Sequence, residues 1–176
     1  DSENLKELFS LIFPEFDNLE KLKRLKKICN HSQISRDVLL AVLLISEKNS
    51  HEYFAHKYNI SHETKENLNL LSKDLKLLDV NKDFFYRDLE KNIYLSNKNH
   101  LINLNILNFV NNSKYKVKDF SEILQKILKS KAHFFPFDGK YLLHNGMKEG
   151  STLGKVLKII ENEWIINGFK ISKNRV

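Results

Sequence analysis

The sequence has little of what most other architectures require. Its 176 residues include 5 glycines, 2 prolines, 2 threonines and 1 cysteine. A β-sandwich turns about every 8–12 residues and relies on glycine and proline to do so. So few breakers cannot easily supply those turns, and strands favour threonine. Cys29 alone cannot close an internal disulfide, which excludes a disulfide scaffold and makes a reducing compartment the expected setting. The longest apolar run, Val38 to Ile45, is eight residues, far short of the ~20 needed to span a bilayer. The opening DSENLKELFS is acidic, lacks the apolar stretch of a signal peptide and has no initiator Met. A cytoplasmic fragment of a longer protein is therefore expected. The remaining composition, 41% hydrophobic with 12 Phe, excludes a disordered or collagen-like chain.

What is present is helical periodicity. Leu19, Leu22, Leu25 and Ile28 recur every third residue, with Lys21, Lys23, Arg24, Lys26 and Lys27 between them. This predicts an amphipathic helix with a basic outer face. Pro14 separates it from an earlier helix carrying Leu5, Leu8, Phe9 and Ile12. Ser35 and Asp37 precede VLLAVLLIS, dense enough for a helix buried on most sides. Ser46 to Ser50 is polar and predicts a break, and His51 to Tyr58 a short helix. Asn59 suits a left-handed turn, and Ser61 opens a helix carrying Leu68, Leu71, Leu75 and Leu78. Phe84 to Leu95 is predicted helical, and Leu101, Leu104 and Leu107 mark another helix. A further one carries Phe120, Ile123, Leu124, Ile127 and Leu128 on one stripe. The expected fold is all-α, a multi-helix array of about nine or ten helices.

The composition then changes. Glycines and Pro136 concentrate in His133 to Gly168. Asp138 or Gly139 starts a short helix ending at Gly146. Ser151 or Thr152 is the predicted cap of a longer helix, with Leu153, Val156, Leu157, Ile160 and Trp164 on its apolar stripe and Gly168 closing it. The expected organisation is a helical body over 1–131 and a helical tail over 132–176.

Several catalytic templates fail on spacing. Asp79, Asn81, Asp83, Phe85, Arg87 and Glu90 occupy calcium-loop positions, but Phe84 stands where glycine must make the sharp turn. His51 and His56 are five apart rather than the four that put two zinc ligands on one helix face. GSTLGK at 150–155 has three residues between its glycines, where a phosphate loop needs four. Glu161 and Glu163 form a carboxylate pair two apart, but on a helix such residues diverge. Phe54 to Leu71 has the outline of a helix-turn-helix, although Glu63 and Glu66 oppose contact with bases.

Pro136, Gly139, Leu142-Leu143, Gly146, Gly150, Leu153-Gly154, Leu157 and Trp164-Ile165 form a pattern that resembles the C-terminal tail of bacterial tRNA nucleotidyltransferases. That family includes CCA-adding enzymes and bacterial poly(A) polymerases. Lys140-Tyr141-Leu142 departs from it, since an Asp usually precedes the Leu, and Glu149-Gly150 replaces the usual pair. Upstream, Leu11 to Glu15, Val38 to Ile45 and Ile60 to Leu71 resemble the family's body less specifically. The resemblance implies the C-terminal part of an enzyme that adds nucleotides to RNA 3′ ends without a template, using Mg2+ and CTP or ATP. It implies that the catalytic head and the nucleotide-selecting neck lie outside this chain. The body and tail would hold the acceptor stem and elbow of tRNA, or another structured RNA.

The residues themselves are compatible with such a role. A net charge of +7 suits the phosphate contacts by which duplex RNA is held. The turn from Gly146 to Ser151 feeds a helix N-terminus, a natural anion site. Lys148 lies in that turn, Lys155 and Lys158 on the helix, and Lys140 one short helix away. Lys140, Lys148, Gly150, Ser151, Lys155 and Lys158 are the expected RNA contacts. No catalytic or metal-binding residues are expected in the chain. Two other classes remain open: a helical protein-interaction module and a helix-turn-helix DNA-binding domain.

Overall fold

A computed structural model describes residues 7–8, 11–16, 19–45 and 50–171. Nine α-helices stand among them: α1 (Lys21–Leu25), α2 (Arg36–Leu44), α3 (Ser50–Lys57), α4 (His62–Val80), α5 (Leu89–Leu95), α6 (Lys98–Asn111), α7 (Val117–Lys129), α8 (Gly139–His144) and α9 (Ser151–Ile166). A 3-10 turn at Lys26–Ile28 extends α1. No strand occurs among the described residues. The fold is an all-α array.

Short polar side chains set where helices begin. Ser35 accepts the Val38 N–H at 3.3 Å, Ser61 the Thr64 N–H at 3.2 Å, and Asn97 the His100 N–H at 2.8 Å. Each satisfies one donor that a helix start leaves unpaired. Asn59 takes the left-handed conformation, φ 46°, and separates α3 from α4.

The core is one contiguous cluster drawn from Phe16 to Ile127. Its centre is α6, which packs against α1, α2, α4, α5 and α7. Leu101, Leu104, Ile106 and Leu107 on α6 are fully buried, and Phe109 and Val110 nearly so. A helix apolar around most of its circumference belongs at the centre of such an array. Asn105 is buried with them, and both its amide nitrogen and its carbonyl oxygen have a partner. Its amide donates to Phe120 O at 3.0 Å, and its carbonyl accepts the Tyr115 hydroxyl at 2.8 Å. Burial, then the nearby Tyr86, Asp119 and Glu122, push the Tyr115 phenol far above its ordinary value, so it stays a donor.

Arg24 is not part of a solvated basic face. Its guanidinium donates to Phe109 O at 2.7 and 3.0 Å, to Asn112 O at 2.9 Å and to Tyr115 O at 3.0 Å. It also lies 4.7 Å from the centre of the Phe109 ring. It thereby caps the C-terminus of α6, where unpaired carbonyls concentrate negative charge.

The tail docks through aromatic side chains. Trp164 on α9 is buried and lies 5.3 Å from Tyr94 on α5, 5.5 Å from Phe135 and 4.9 Å from Phe169. His133 stacks on Phe169 at 3.7 Å and meets Glu90 of α5 at 2.8 Å. The Tyr94 hydroxyl donates to Glu161 of α9. Burial, then that carboxylate, raise the Tyr94 phenol to about 12. Leu142 and Phe137 are also buried in this part of the chain.

Further expectations need correction. Helix α5 starts at Leu89, not Phe84, because side chains hold the preceding segment as turns: Asn81 accepts the Asp83 N–H at 3.0 Å, and Asn92 donates to Phe84 O at 2.9 Å. That lets Phe84 and Phe85 both enter the core. Leu128 lies outside the buried stripe of α7 and is 56% exposed, since the next residue after Ile127 turns by about 100°. Leu8 and Ile12 are exposed rather than core, for no other described element covers them; Leu5 and Phe9 lie outside the described residues. Gly150, not Ser151 or Thr152, is the cap of α9. On α9 only Trp164 and Ile165 are fully buried, while Leu153, Val156, Leu157 and Ile160 stay half-buried. A helix at the edge of the array has fewer neighbours than a central one, here α5 and α8. Of the predicted break, residues 46–49 lie outside the described residues, and Ser50 already belongs to α3.

Candidate functional site

The tail hairpin α8–α9 is built by local backbone chemistry. Asp138 caps α8 by accepting the Tyr141 N–H at 2.8 Å. At its other end Gly146 adopts φ 93°, donates to Leu143 O at 3.1 Å, and the next N–H, from Met147, reaches Leu142 O at 3.1 Å. This paired closure needs a left-handed residue, which glycine supplies without strain. Gly168 and Phe169 close α9 in the same way, bonding Ile165 O at 3.1 Å and Trp164 O at 2.8 Å. Gly139 has a different role. A Cβ there would lie 3.1 Å from Leu153 Cδ2, so this glycine lets the start of α8 approach the first turn of α9. Gly146, Gly150 and Gly154 meet nothing within 4 Å of an added Cβ, so close helix packing does not explain them.

The predicted residues fall as follows. Lys140 is exposed on the first turn of α8, beside Gly139 and therefore near the start of α9. Lys148 is exposed in the turn. Gly150 caps α9 with φ 150° and no side-chain bond. Ser151, Lys155 and Lys158 are exposed and follow at i, i+4 and i+7, one stripe of the helix. None of the four lysines joins an ion pair among the described residues. Glu149 shares the turn with Lys148, while Glu161 is held by Tyr94. The arrangement offers a helix N-terminus with no side-chain cap bond, and flexible cations, the donors that phosphate oxygens accept.

The excluded centres have ordinary partners. Asp83 pairs with Arg87 at 3.0 Å, and Asp88 accepts from Asn81 at 3.2 Å. His51 is buried and His56 exposed, on different sides of α3. Glu161 and Glu163 do not converge. Among the described residues no group of three or more His, Cys, Asp or Glu side chains is placed to hold a metal.

Sequence reasoning missed a second basic surface. The segment Lys114-Tyr115-Lys116 alternates. Tyr115 turns its ring inward to Phe109 and Asn105, which leaves Lys114 and Lys116 exposed on the other side. Lys114 and Lys76 of α4 line one cleft of about 630 Å³ with Asn108, Asn111, Asn112 and Ser113; Asp79 is its one carboxylate. The alternation was a readable signal. The meeting of Lys76 with Lys114, 38 positions apart, was not.

Comparison with known protein families, with curated proteins and with solved structures finds no match to this chain. Among the described residues no helix is long and apolar enough to cross a membrane.

Proposed function

We propose that this chain is an RNA-docking helical unit, the body and tail of an enzyme of the tRNA nucleotidyltransferase and poly(A) polymerase type. Its part is to hold tRNA or another structured RNA while a catalytic head outside the chain adds nucleotides to the 3′ end. The observation that carries the reading is the stripe Ser151, Lys155 and Lys158 below a helix N-terminus that no side chain caps, with Lys148 beside it. These lysines have no carboxylate partner to release among the described residues before meeting a phosphate. Duplex RNA is held by such phosphate contacts and by shape rather than by base reading. The surrounding helices give the stripe a fixed platform through Trp164 and Tyr94.

The test is fluorescence anisotropy with labelled tRNA, duplex DNA and a stem-loop RNA across a salt series. The expected dissociation constant for tRNA is roughly 10⁻⁴ to 10⁻⁶ M, weakening steeply with salt. The charge-reversed variant Lys148→Glu, Lys155→Glu, Lys158→Glu is expected to lose most of that affinity. Unchanged affinity in the variant, or equal binding of all three nucleic acids, would overturn the proposal.

A further inference from the structure

The second basic surface lies at the C-terminal end of α6, away from the residues assigned to RNA above. Two exposed lysines line the cleft there, Lys76 from α4 and Lys114 from the loop before α7. Lys116, two residues further along that loop, and Lys27, in the 3-10 turn that extends α1, are also exposed. The turn is held against the loop by Arg24, whose guanidinium bonds Asn112 O and Tyr115 O. Lys27 follows Arg24 by three residues and so shares its side of the helical segment.

A helix C-terminus normally repels phosphate, because its carbonyls carry partial negative charge. Here Arg24 cancels that objection. It donates to three carbonyls in this region and leaves a half-buried positive charge behind them. Between the lysines the cleft is walled by the amides of Asn108, Asn111 and Asn112 and the hydroxyls of Ser72 and Ser113, with Ile45 and Leu75 as its apolar part. Lysine ammonium groups suit phosphate oxygens, and amides suit ribose hydroxyls. Asp79 alone opposes, against Lys76 and Lys114 in the same cleft.

We infer that the cleft between α4 and the C-terminal end of α6, with Lys76, Lys114, Lys116 and Lys27 around it, is a second docking site for the sugar–phosphate backbone of structured RNA. The inference rests on the RNA-docking reading and extends it: one RNA spans tail and body. Arg24 is a positioning residue in this site and does not touch the RNA.

The test compares salt-dependent tRNA binding by the whole chain with that of two charge-matched variants. One is Lys76→Ala, Lys114→Ala, Lys116→Ala. The other is Lys65→Ala, Lys91→Ala, Lys129→Ala, which removes three exposed lysines elsewhere. Each lysine that contacts a phosphate contributes about one unit to the slope of log K against log salt. The cleft variant is expected to lose about two to three units of slope and the control less than about one. Equal losses in the two variants would overturn this site and leave the tail reading standing. No RNA binding by the unaltered chain would overturn both. Should the cleft variant fail to fold, acetylation of the unaltered chain decides. Protection of Lys76, Lys114 and Lys116 by RNA supports the site, and full reactivity in the complex refutes it.

Discussion

Replacing Arg24 by alanine is expected to cost far more than its place in a lysine-rich helix suggests. The guanidinium makes four short contacts to three carbonyls and covers the Phe109 ring. A hydrogen bond from a charged group contributes about 1.5–3 kcal/mol net. A cation at a helix C-terminus adds about 0.3–1 kcal/mol, and a ring contact of this kind about 0.5–1 kcal/mol. These contributions share one group and do not simply add. Water also replaces the bond to Asn112 O, which is exposed. A loss of about 3 kcal/mol follows, equivalent to a fall in Tm of about 6–12 °C for a chain of this size. Arg24→Lys keeps the charge but loses the planar fork, so it recovers only about 1 kcal/mol. Thermal melts and urea titrations followed by far-ultraviolet circular dichroism read both values. An alanine variant within about 0.5 kcal/mol of the parent would refute the reasoning, because that is the range of an ordinary surface change. So would a lysine variant as stable as the parent.

Burial lowers the pKa of His51 below its ordinary 6.5, against the smaller opposing effect of Glu52 and with a further lowering by Lys76. The folded state excludes the charged imidazole, so the unfolded chain takes up that proton first, and stability falls as pH drops below 6.5 towards the lowered folded value. In urea titrations at pH 8 and pH 5.5, His51→Leu is expected to lose less stability on acidification than the parent; an equal loss would count against burial as the cause. Trp164→Ala removes the centre of the aromatic contact between α9 and α5, at a cost of about 3–5 kcal/mol. Limited proteolysis is expected to cut the irregular segment 131–138 much faster in this variant while the body stays helical, and an unchanged cleavage rate would show that the tail is held by other means. Gly150→Ala forces a side chain into φ 150° and is expected to lower stability by about 1–3 kcal/mol; Gly154→Ala, in open space at an ordinary helical position, is expected to stabilise slightly, and the reverse order in a melt would refute the division of roles among the glycines.

Much of the fold was legible because its signals are local. Ser35, Ser61, Asp138, Asn59, Gly146 and Gly168 act on backbone groups within five residues, and each does in space what its chemistry suggests. Trp164 is interior as its stripe suggested, although the rest of that stripe is only half-buried. The candidate site was legible only in part. Lys148, Lys155 and Lys158 are on the surface as expected, but the cap of α9 moved one residue, to Gly150. Glycine has no side chain to announce a cap, and the decisive fact is its φ. Arg24 was unreadable because its partners lie 85 to 91 positions away. Nothing in KLKRLKK marks one of its cations as an internal capping group.

By itself the sequence determined an all-α chain, the approximate ends of most helices, and a tail whose glycines make turns. Those outcomes depend on hydrogen bonds and side-chain periodicity within a turn or two, where the energies are set before any helix meets another. Only the tertiary structure decided that α6 is the central helix, that α9 lies at the edge with half its apolar stripe uncovered, and that Arg24, Lys76 and Lys114 meet at one helix end. Burial and charge proximity depend on which elements are neighbours, and that is fixed by the packing of all the helices together.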